Sequence, residues 1–249
     1  MNAVDAIEFI ETPTNSRGVY DRMPAMTIST RTMAVSLSLG VFLLVGPAGL
    51  STSAQAPKPS VPIFDGKTLT GWHKPQGVPA EYRGGKWEVI DGALVGDQDP
   101  PGRGGFLVTD KIYRDYMIEF DISLDEPADS GVFLRMDEDG KNHQLTLDND
   151  HSKKFGDVYL SWGRGTVHEA PEGKKHFRQG AWNTVKIQIQ GEPARIQFWL
   201  NGVAITDFQH TAESTSGVPK EGRIGLQIHA GNWSGGSKVR YRNIRLTEL

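Results

Sequence analysis

The stretch Gly222-Arg-Ile-Gly-Leu-Gln-Ile-His229 decides the fold class, because apolar and polar residues alternate along it. Successive side chains of a β-strand point to opposite faces of a sheet, so its isoleucine and leucine residues share the predicted core face. Gln227 and His229 share the opposite face. Short runs with the same period continue from Phe64 to the end of the chain, separated by Gly, Pro, Asp and Asn. This pattern is typical of an antiparallel all-β fold.

Eleven such runs predict strands, and no stretch has the pattern of a long helix. That many strands in about 185 residues rarely form one open layer, so we expect an all-β fold that is a two-sheet antiparallel jelly-roll sandwich. The predicted strands comprise residues 87–89, 93–95, 106–109, 116–124, 131–136, 143–147, 158–162, 184–190, 195–200, 222–229 and 239–246.

The composition excludes several classes of protein. The 249 residues carry a formal net charge of -3 and have a pI near 6.2. Without a basic stripe, nucleic acid is not an expected partner, and a weakly charged ligand such as a carbohydrate fits better. The chain has no cysteine, which excludes disulfides, thiolate metal sites and thiol nucleophiles. It also lacks the GxSxG, HExxH, Walker A and GxGxxG motifs of common hydrolases, zinc proteases and nucleotide-binding proteins.

The N-terminal region has the pattern of an export signal. An apolar run from Met33 follows Arg31 and leads to the small-residue site Ala54-Gln55-Ala56. Because Pro57 follows the preferred cut, cleavage after Ala54 and retention as an anchor are the alternatives. We expect an exported protein, periplasmic or extracellular, with no stable membrane insertion after cleavage. The predicted parts are an over-extended or disordered start at 1–32, a signal peptide at 33–56, a linker at 57–61 and a folded domain at 62–249.

Several predicted strands carry polar residues at alternate positions, which places those residues on one face. Arg135, Asp148 and His229 lie on strands expected to be neighbours, and an arginine, a carboxylate and an imidazole together can move a proton. Gln144 shares the face of Asp148, and Asp121 contributes to a further polar face. Such faces form either a sugar-binding groove or a solvated outer surface.

Two further patterns concern ligands. Asp148-Asn149-Asp150-His151 offers two carboxylates, Asp148 and Asp150, to calcium or another divalent ion. The same residues are common in turns, and we favour a turn for Asn149 to His151. A divalent metal ion is therefore the one candidate cofactor.

Sugar rings stack on aromatic side chains, and we predict that Trp162 and Trp233 are the stacking platforms.

A series of short motifs follows in order along the domain: Phe64-Asp-Gly-Lys-Thr-Leu-Thr-Gly-Trp72, Trp87-Glu-Val-Ile-Asp-Gly92, Leu107-Val-Thr109, Tyr113-Arg-Asp-Tyr116, Ser130-Gly-Val-Phe-Leu-Arg135, Gly156-Asp-Val-Tyr159, Gly180-Ala-Trp-Asn183, Leu200-Asn-Gly202, the stretch that ends at His229, and Tyr241-Arg-Asn-Ile-Arg245. The ordered set resembles the 3-keto-disaccharide hydrolase family over roughly residues 62–249. Each motif alone is weak, but the order is specific.

The resemblance implies a concanavalin A-like lectin/glucanase type of jelly roll that cleaves glycosides already oxidised to a ketone at C3. That ketone acidifies the hydrogen on C2, so a base removes it, the C1 substituent leaves and water adds back. The implied roles are His229 as base or acid, Asp148 as its acid/base partner or a metal ligand, and Arg135 as enolate stabiliser. The residues that would orient the sugar are Gln144, Tyr159, Gln227 and Asp121.

The chain departs from this family at one point. It has Asn142-His143-Gln144 where relatives carry Glu-x-Gln, so His143 is the candidate substitute for a missing carboxylate. Two other functions remain open, a non-catalytic carbohydrate-binding module on the same sandwich and a cell-surface adhesion domain. A binding module needs only aligned aromatic rings and amides, and an adhesion domain needs an exposed apolar patch. An enzyme needs Arg135, Asp148 and His229 to meet.

Overall fold

The computed structural model describes residues 58–150, 154–160, 164–231 and 236–249, which form two antiparallel sheets around one core. Two short 3-10 helices, Ala80–Tyr82 and Gly173–His176, accompany the strands. The strands of the described residues, in chain order, are β1 Val61–Pro62, β2 Trp72–His73, β3 Lys86–Ile90, β4 Ala93–Asp97, β5 Gly105–Thr109, β6 Tyr116–Leu124, β7 Asp129–Met136, β8 His143–Asp148, β9 Phe155–Leu160, β10 Gly165–His168, β11 Asn183–Gln190, β12 Arg195–Leu200, β13 Val203–Gln209, β14 Arg223–Ile228 and β15 Val239–Glu248.

The eight-stranded sheet has the order β13-β12-β11-β6-β15-β4-β3, with β1 paired to β15, and the seven-stranded sheet has the order β10-β9-β8-β7-β14-β5-β2. This confirms the predicted two-sheet antiparallel sandwich, and every predicted strand overlaps an observed one. The prediction missed β1, β2, β10 and β13. The first two are only two residues long, and β13 is a mostly exposed edge strand without a clear apolar face.

The core lies between the two sheets and follows the period-two pattern. In β6 every second side chain, from Tyr116 to Leu124, is at most 2% exposed. In β14 the three apolar side chains are buried as predicted, which leaves Gln227 on the outer face of the seven-stranded sheet. Described residues contain no helix long and apolar enough to span a membrane.

Strand β7 departs from period two near its end. Against β14, Phe133 pairs with Gly225 and Met136 pairs with Arg223, so two residues of β7 lie opposite one of β14. Arg135, inside this β-bulge, has a φ of 53°, in the left-handed region. A bulge redirects side chains relative to the regular strand. Phe133 therefore stays on the outer face, whereas the side chain of Arg135 turns into the protein.

Candidate functional site

The outer face of the seven-stranded sheet is arranged in rungs, meaning rows of residues paired across neighbouring strands. In the first rung Asp148 of β8 pairs with Asp129 of β7. His229 directly follows β14, and its N–H donates to the carbonyl of Asp129 over 3.1 Å. Three residues with ionisable side chains from three adjacent strands therefore lie in one row.

Two more rungs continue along the same face. The second contains Thr146, Gly131 and Gln227, and Gln227 pairs with Phe106 of β5. The third contains Tyr159 paired with Gln144, which in turn pairs with Phe133. Rungs on one face of a sheet are about 6 to 7 Å apart, so the three rungs provide a surface the size of a small glycoside.

The first rung contains a hydrogen-bonded pair of carboxyl groups, Asp129 and Asp148. Both are at least nine-tenths buried. The pKa of Asp129 is raised to about 7, and burial is the largest cause. The hydrogen bond with Asp148 lowers the pKa, and the nearby carboxylate of Asp150 raises it. With its pKa raised to about 7, Asp129 keeps its proton up to near neutral pH and can donate it to the carboxylate of Asp148.

His229 borders this pair and is open to solvent. Its Nδ1 lies 3.3 Å from Oδ2 of Asp129, and the side chain is 47% exposed. An accessible imidazole beside a carboxyl group can take a proton from a bound ligand and pass it on. The first rung can therefore act both as an acid and as a base.

The second and third rungs are bridged by an amide pair. The Nε2 of Gln144 donates to Oε1 of Gln227 over 3.2 Å, across the strand that lies between them. Gly131 makes room for this bond, since a Cβ there would lie 2.7 Å from Nε2 of Gln144. The remaining donor and acceptor capacity of the two amides faces the pocket and suits sugar hydroxyls.

These residues line a cavity of about 490 Å³, within the usual range of small-molecule sites of about 300 to 1,000 Å³. One end is aromatic. Tyr82 stacks on Phe106 at 6.0 Å between ring centroids, and Phe106 packs on Phe133 at 4.6 Å. The other end is polar, with Asp150 and Lys154 beside the first rung.

Lys154 is the one lysine or arginine among the described residues that line the cavity. Its carbonyl accepts the N–H of Asp148 over 2.8 Å, which fixes its backbone beside the carboxyl pair. Its Nζ lies 3.8 Å from a carboxylate oxygen of Asp157. The side chain is 45% exposed, so the ammonium group can turn towards a ligand.

Asp148 and Asp150, the candidate metal ligands, both line the cavity. In the described part of the chain no group of three or more His, Asp or Glu residues could hold a metal ion. Asn149 between them is fully buried, and its amide donates to the carbonyl of Asp125 over 3.2 Å and to Gln179 over 2.9 Å. Asn149 therefore has a structural role, and the turn predicted for Asn149 to His151 stays a prediction because His151 lies outside the described residues.

The prediction that Arg135 meets Asp148 and His229 is wrong. Its side chain is 2% exposed, and Nε donates to the carbonyl of Arg114 over 2.6 Å. Its terminal nitrogens donate to Asp115 over 2.7 Å and to the carbonyl of Gly191 over 3.2 Å. The bulge in β7 turns this guanidinium away from the cavity, where it ties neighbouring loops together.

His143 and Asp121 are also absent from the cavity, contrary to the prediction. His143 is 1% exposed, and its Nδ1 lies 3.1 Å from Nε2 of His210. It directly precedes Gln144, so the alternation of β8 places it on the opposite face. Asp121 lies on β6 of the other sheet, where its carboxylate accepts from Arg242 at 3.2 Å and Asn243 at 2.8 Å.

Gln144, Tyr159, Gln227, Asp148 and His229 line the cavity as expected. Trp162, Trp233 and His151 lie outside the described residues, so the predicted stacking platforms are not located.

Sequence reasoning missed Asp129 and the aromatic residues Tyr82, Phe106 and Phe133. Asp129 could have been found by extending the period of Gly131 and Phe133 two residues towards the start of the strand. Tyr82 belongs to a 3-10 helix in a loop, and no periodic pattern indicates that it covers a sheet.

Comparisons with known proteins agree with this fold and indicate the family. The family model described as the 3-keto-alpha-glucoside-1,2-lyase-like domain matches residues 59–247. A provisionally assigned glycosyl hydrolase from Parabacteroides distasonis has a similar structure, with 20% identity, a TM-score of 0.53 and coverage of 76% of this chain and 94% of its own. No curated protein matches the chain.

Two further solved structures share the sandwich. A carbohydrate-binding module from Bacillus subtilis is 15% identical, with a TM-score of 0.51 and coverage of 72% of this chain and 96% of its own. A structure reported for endo-acting O-glycanases of the human gut microbiota is 14% identical, with a TM-score of 0.55 and coverage of 76% and 98%. At these identities the likeness shows the fold alone.

Proposed function

Because the chain belongs to the family of 3-keto-alpha-glucoside-1,2-lyase-like domains, we propose that it cleaves the glycosidic bond of 3-keto-glycosides or 3-keto-disaccharides by elimination and hydration. The observation that carries this proposal is the proton-sharing pair Asp129–Asp148 beside the accessible His229 in an open cavity. Elimination needs both a base and an acid at one place, and this rung supplies them.

In the proposed reaction His229 takes the proton from C2 of the sugar. The electron pair of that C–H bond forms the enolate of the C3 ketone. The enolate then expels the C1 oxygen, which the proton of the Asp129–Asp148 pair neutralises as the C1–O bond breaks. Water adds to C1 of the resulting enone, and a proton returns to C2, so that the net reaction is hydrolysis.

The enolate oxygen needs a positive or hydrogen-bonding partner. Arg135 is buried away from the cavity, so it cannot stabilise the enolate. Lys154 takes this role, because it is the lysine that lines the cavity beside the first rung. Gln144, Gln227 and Tyr159 orient the sugar. The aromatic end, formed by Tyr82 with the two phenylalanines beneath it, receives the departing group.

The alternative function is carbohydrate binding without turnover. A binding module would use the same amides and rings, but it has no need of a buried carboxyl group with a pKa raised to about 7. Groups with pKa values near the working pH are concentrated at catalytic sites. The carboxyl pair therefore favours the enzyme.

The test is to incubate the purified protein with a nitrophenyl 3-keto-glucoside and with its unoxidised parent, each with and without a chelator. The proposal expects nitrophenol from the ketone only. Release from both substrates, or from neither by a folded protein that still binds sugars, would overturn it. Loss of activity with chelator would show that a divalent metal ion takes part.

We further propose that the protein is exported, on the pattern of residues 33–56. N-terminal sequencing of the mature protein from periplasmic and culture fractions tests this, with a start near residues 55–57 as the expected result.

A further inference from the structure

His229 lies outside the regular hydrogen bonding of the sheet. Strand β14 ends at Ile228, so the position of the imidazole depends on what holds the segment that follows. The N–H of His229 donates to the carbonyl of Asp129 over 3.1 Å. Its own carbonyl accepts from the side chain of Gln98, just after β4, over 2.9 Å.

Gln98 uses both hydrogens of its amide nitrogen and its amide oxygen to join two loops. Its Nε2 donates to the carbonyls of His229 and Gly231, over 2.9 and 3.0 Å. Its Oε1 accepts the N–H of Gly102 over 2.9 Å. The N–H of Gly231 donates back to the carbonyl of Gly102 over 3.1 Å, which closes the connection.

Gly104 holds the same segment from the other side. A Cβ at Gly104 would lie 2.1 Å from the carbonyl oxygen of Ile228 and 2.6 Å from the nitrogen of Ala230. The two backbones therefore touch directly, and the segment can neither approach β5 more closely nor, because of Gln98, move away from it.

We infer that Gln98 is a positioning residue for His229, which holds the imidazole at contact distance from Asp129 and over the cavity. This inference rests on the proposed function of the first rung. Misplacing a catalytic group by about 1 Å can cost about 100-fold in rate, so a side chain that touches no substrate can control turnover.

Two substitutions separate the contacts of Gln98. Gln98→Met has a similar length and loses all three hydrogen bonds. Gln98→Glu keeps an acceptor for Gly102 but loses both donors to the carbonyls of His229 and Gly231. Gln188→Met is the matched control, because Gln188 is half-buried on β11 of the other sheet and its side chain bonds only Gln190 among the described residues.

We expect both Gln98 variants to lower kcat on the 3-keto-glucoside about 10- to 100-fold, with KM changed less than about twofold. Both should also shift the imidazole Nδ1 resonance of His229, which reports its contact with Asp129. Unchanged kcat and an unchanged resonance in either folded variant would overturn the inference, as would an equal loss in Gln188→Met. If wild-type protein turns over no 3-keto-glycoside, the proposed function fails, and the resonance alone decides the inference.

Discussion

Strand β7 carries a cluster of ionisable side chains at each end, and the two clusters differ in access. The pocket cluster, at its start, consists of Asp129, Asp148 and His229. The buried cluster, near its end, consists of Arg135, His143 and His210. The pKa of Asp129 is raised to about 7 and the pKa of His143 is lowered to about 3. Burial is the largest cause of both shifts.

Solvent access separates their functions. In the pocket cluster His229 is 47% exposed at the edge of a cavity. In the buried cluster His143 and His210 are at most 2% exposed, and their nitrogens bond each other, the carbonyl of Pro219 and the hydroxyl of Ser214. A perturbed pKa therefore marks a candidate site only where the group can also reach a ligand.

The largest expected effect is on activity, at the pocket cluster. Asp129→Asn keeps the size of the side chain but removes the proton that the carboxyl pair shares. Because acid–base catalysis contributes about 10²- to 10⁴-fold, we expect kcat/KM for the 3-keto-glucoside to fall by that range. Asp121→Asn on the other sheet is the control and should leave kcat/KM unchanged.

The same variant shows whether the loss is catalytic or structural. The folded pKa of Asp129 is raised, so its contribution to stability is present at low pH and is lost as the pH rises through about 7. Asp129→Asn should therefore unfold at a higher temperature than wild type at pH 8. A lower melting temperature at that pH, together with the loss of activity, would mean that the residue is structural.

The buried cluster should give its largest effect on stability. Arg135→Met removes the guanidinium from Asp115 and two carbonyls, which leaves buried polar atoms without their partner. We expect a loss of about 2 to 4 kcal/mol in the free energy of unfolding, measured in urea, with kcat of the folded enzyme unchanged.

Arg195→Met is the comparison for that experiment, since its ion pair with Asp207 is on the surface and should cost less than about 1 kcal/mol. If Arg135→Met instead lowers kcat while stability is retained, the assignment of Arg135 to the buried cluster is wrong.

The regions predicted correctly are those where the alternation of a strand is regular. The alternation of β14 predicts the face on which Gln227 and His229 lie, and the alternation of β8 predicts the face of Gln144 and Asp148. On a regular strand the position of a residue determines its face. The prediction for Arg135 is wrong because β7 has one extra residue opposite β14, which moves Arg135 off the period-two pattern. Neither Leu134 nor Met136 indicates this bulge in the sequence.

The two histidine assignments in the site show a second limit. The alternation of β8 places His143 on the face opposite Gln144, but the sequence of β8 does not show that His210, just after β13, packs against it there. Asp129 gains its proton-sharing role from Asp148, 19 residues further along the chain. Such properties depend on contacts between strands, which a single strand's pattern does not contain.

The buried cluster should also make stability sensitive to acid. Burial lowers the pKa of His143 to about 3 and that of His210 to about 4, against about 6.5 in the unfolded chain. The folded protein binds fewer protons in that interval, so the free energy of unfolding falls as the pH drops below about 6.5. For His143 the loss should reach about 2 kcal/mol at pH 5.

His143→Gln removes one of these groups, so the free energy of unfolding should depend less steeply on pH between about 6.5 and 5 than in wild type. Urea unfolding at a series of pH values measures this slope. A slope equal to that of wild type would show that acid acts elsewhere in the molecule.

The smallest expected effect concerns the amide bridge next to the pocket cluster. Gly131→Ala places a Cβ 2.7 Å from Nε2 of Gln144 and 3.0 Å from Oε1 of Gln227, which are ends of flexible side chains that can move. The Cβ would also lie 3.2 Å from the carbonyl oxygen of Leu145, which needs only a small shift of the backbone. We therefore expect little change in melting temperature. Weaker hydrogen bonds to the sugar should raise KM about 2- to 10-fold with kcat unchanged.

Gly225→Ala is the matched variant on the same face, since its Cβ would meet only the apolar side chains of Phe133 and Met136 within 3.4 Å. If both substitutions raise KM equally, crowding of the cavity explains the effect and the amide bridge does not orient the sugar. If Gly131→Ala lowers kcat instead of raising KM, the bridge acts on the pocket cluster, and the assignment of the chemistry to the first rung and of sugar binding to the second and third rungs is wrong.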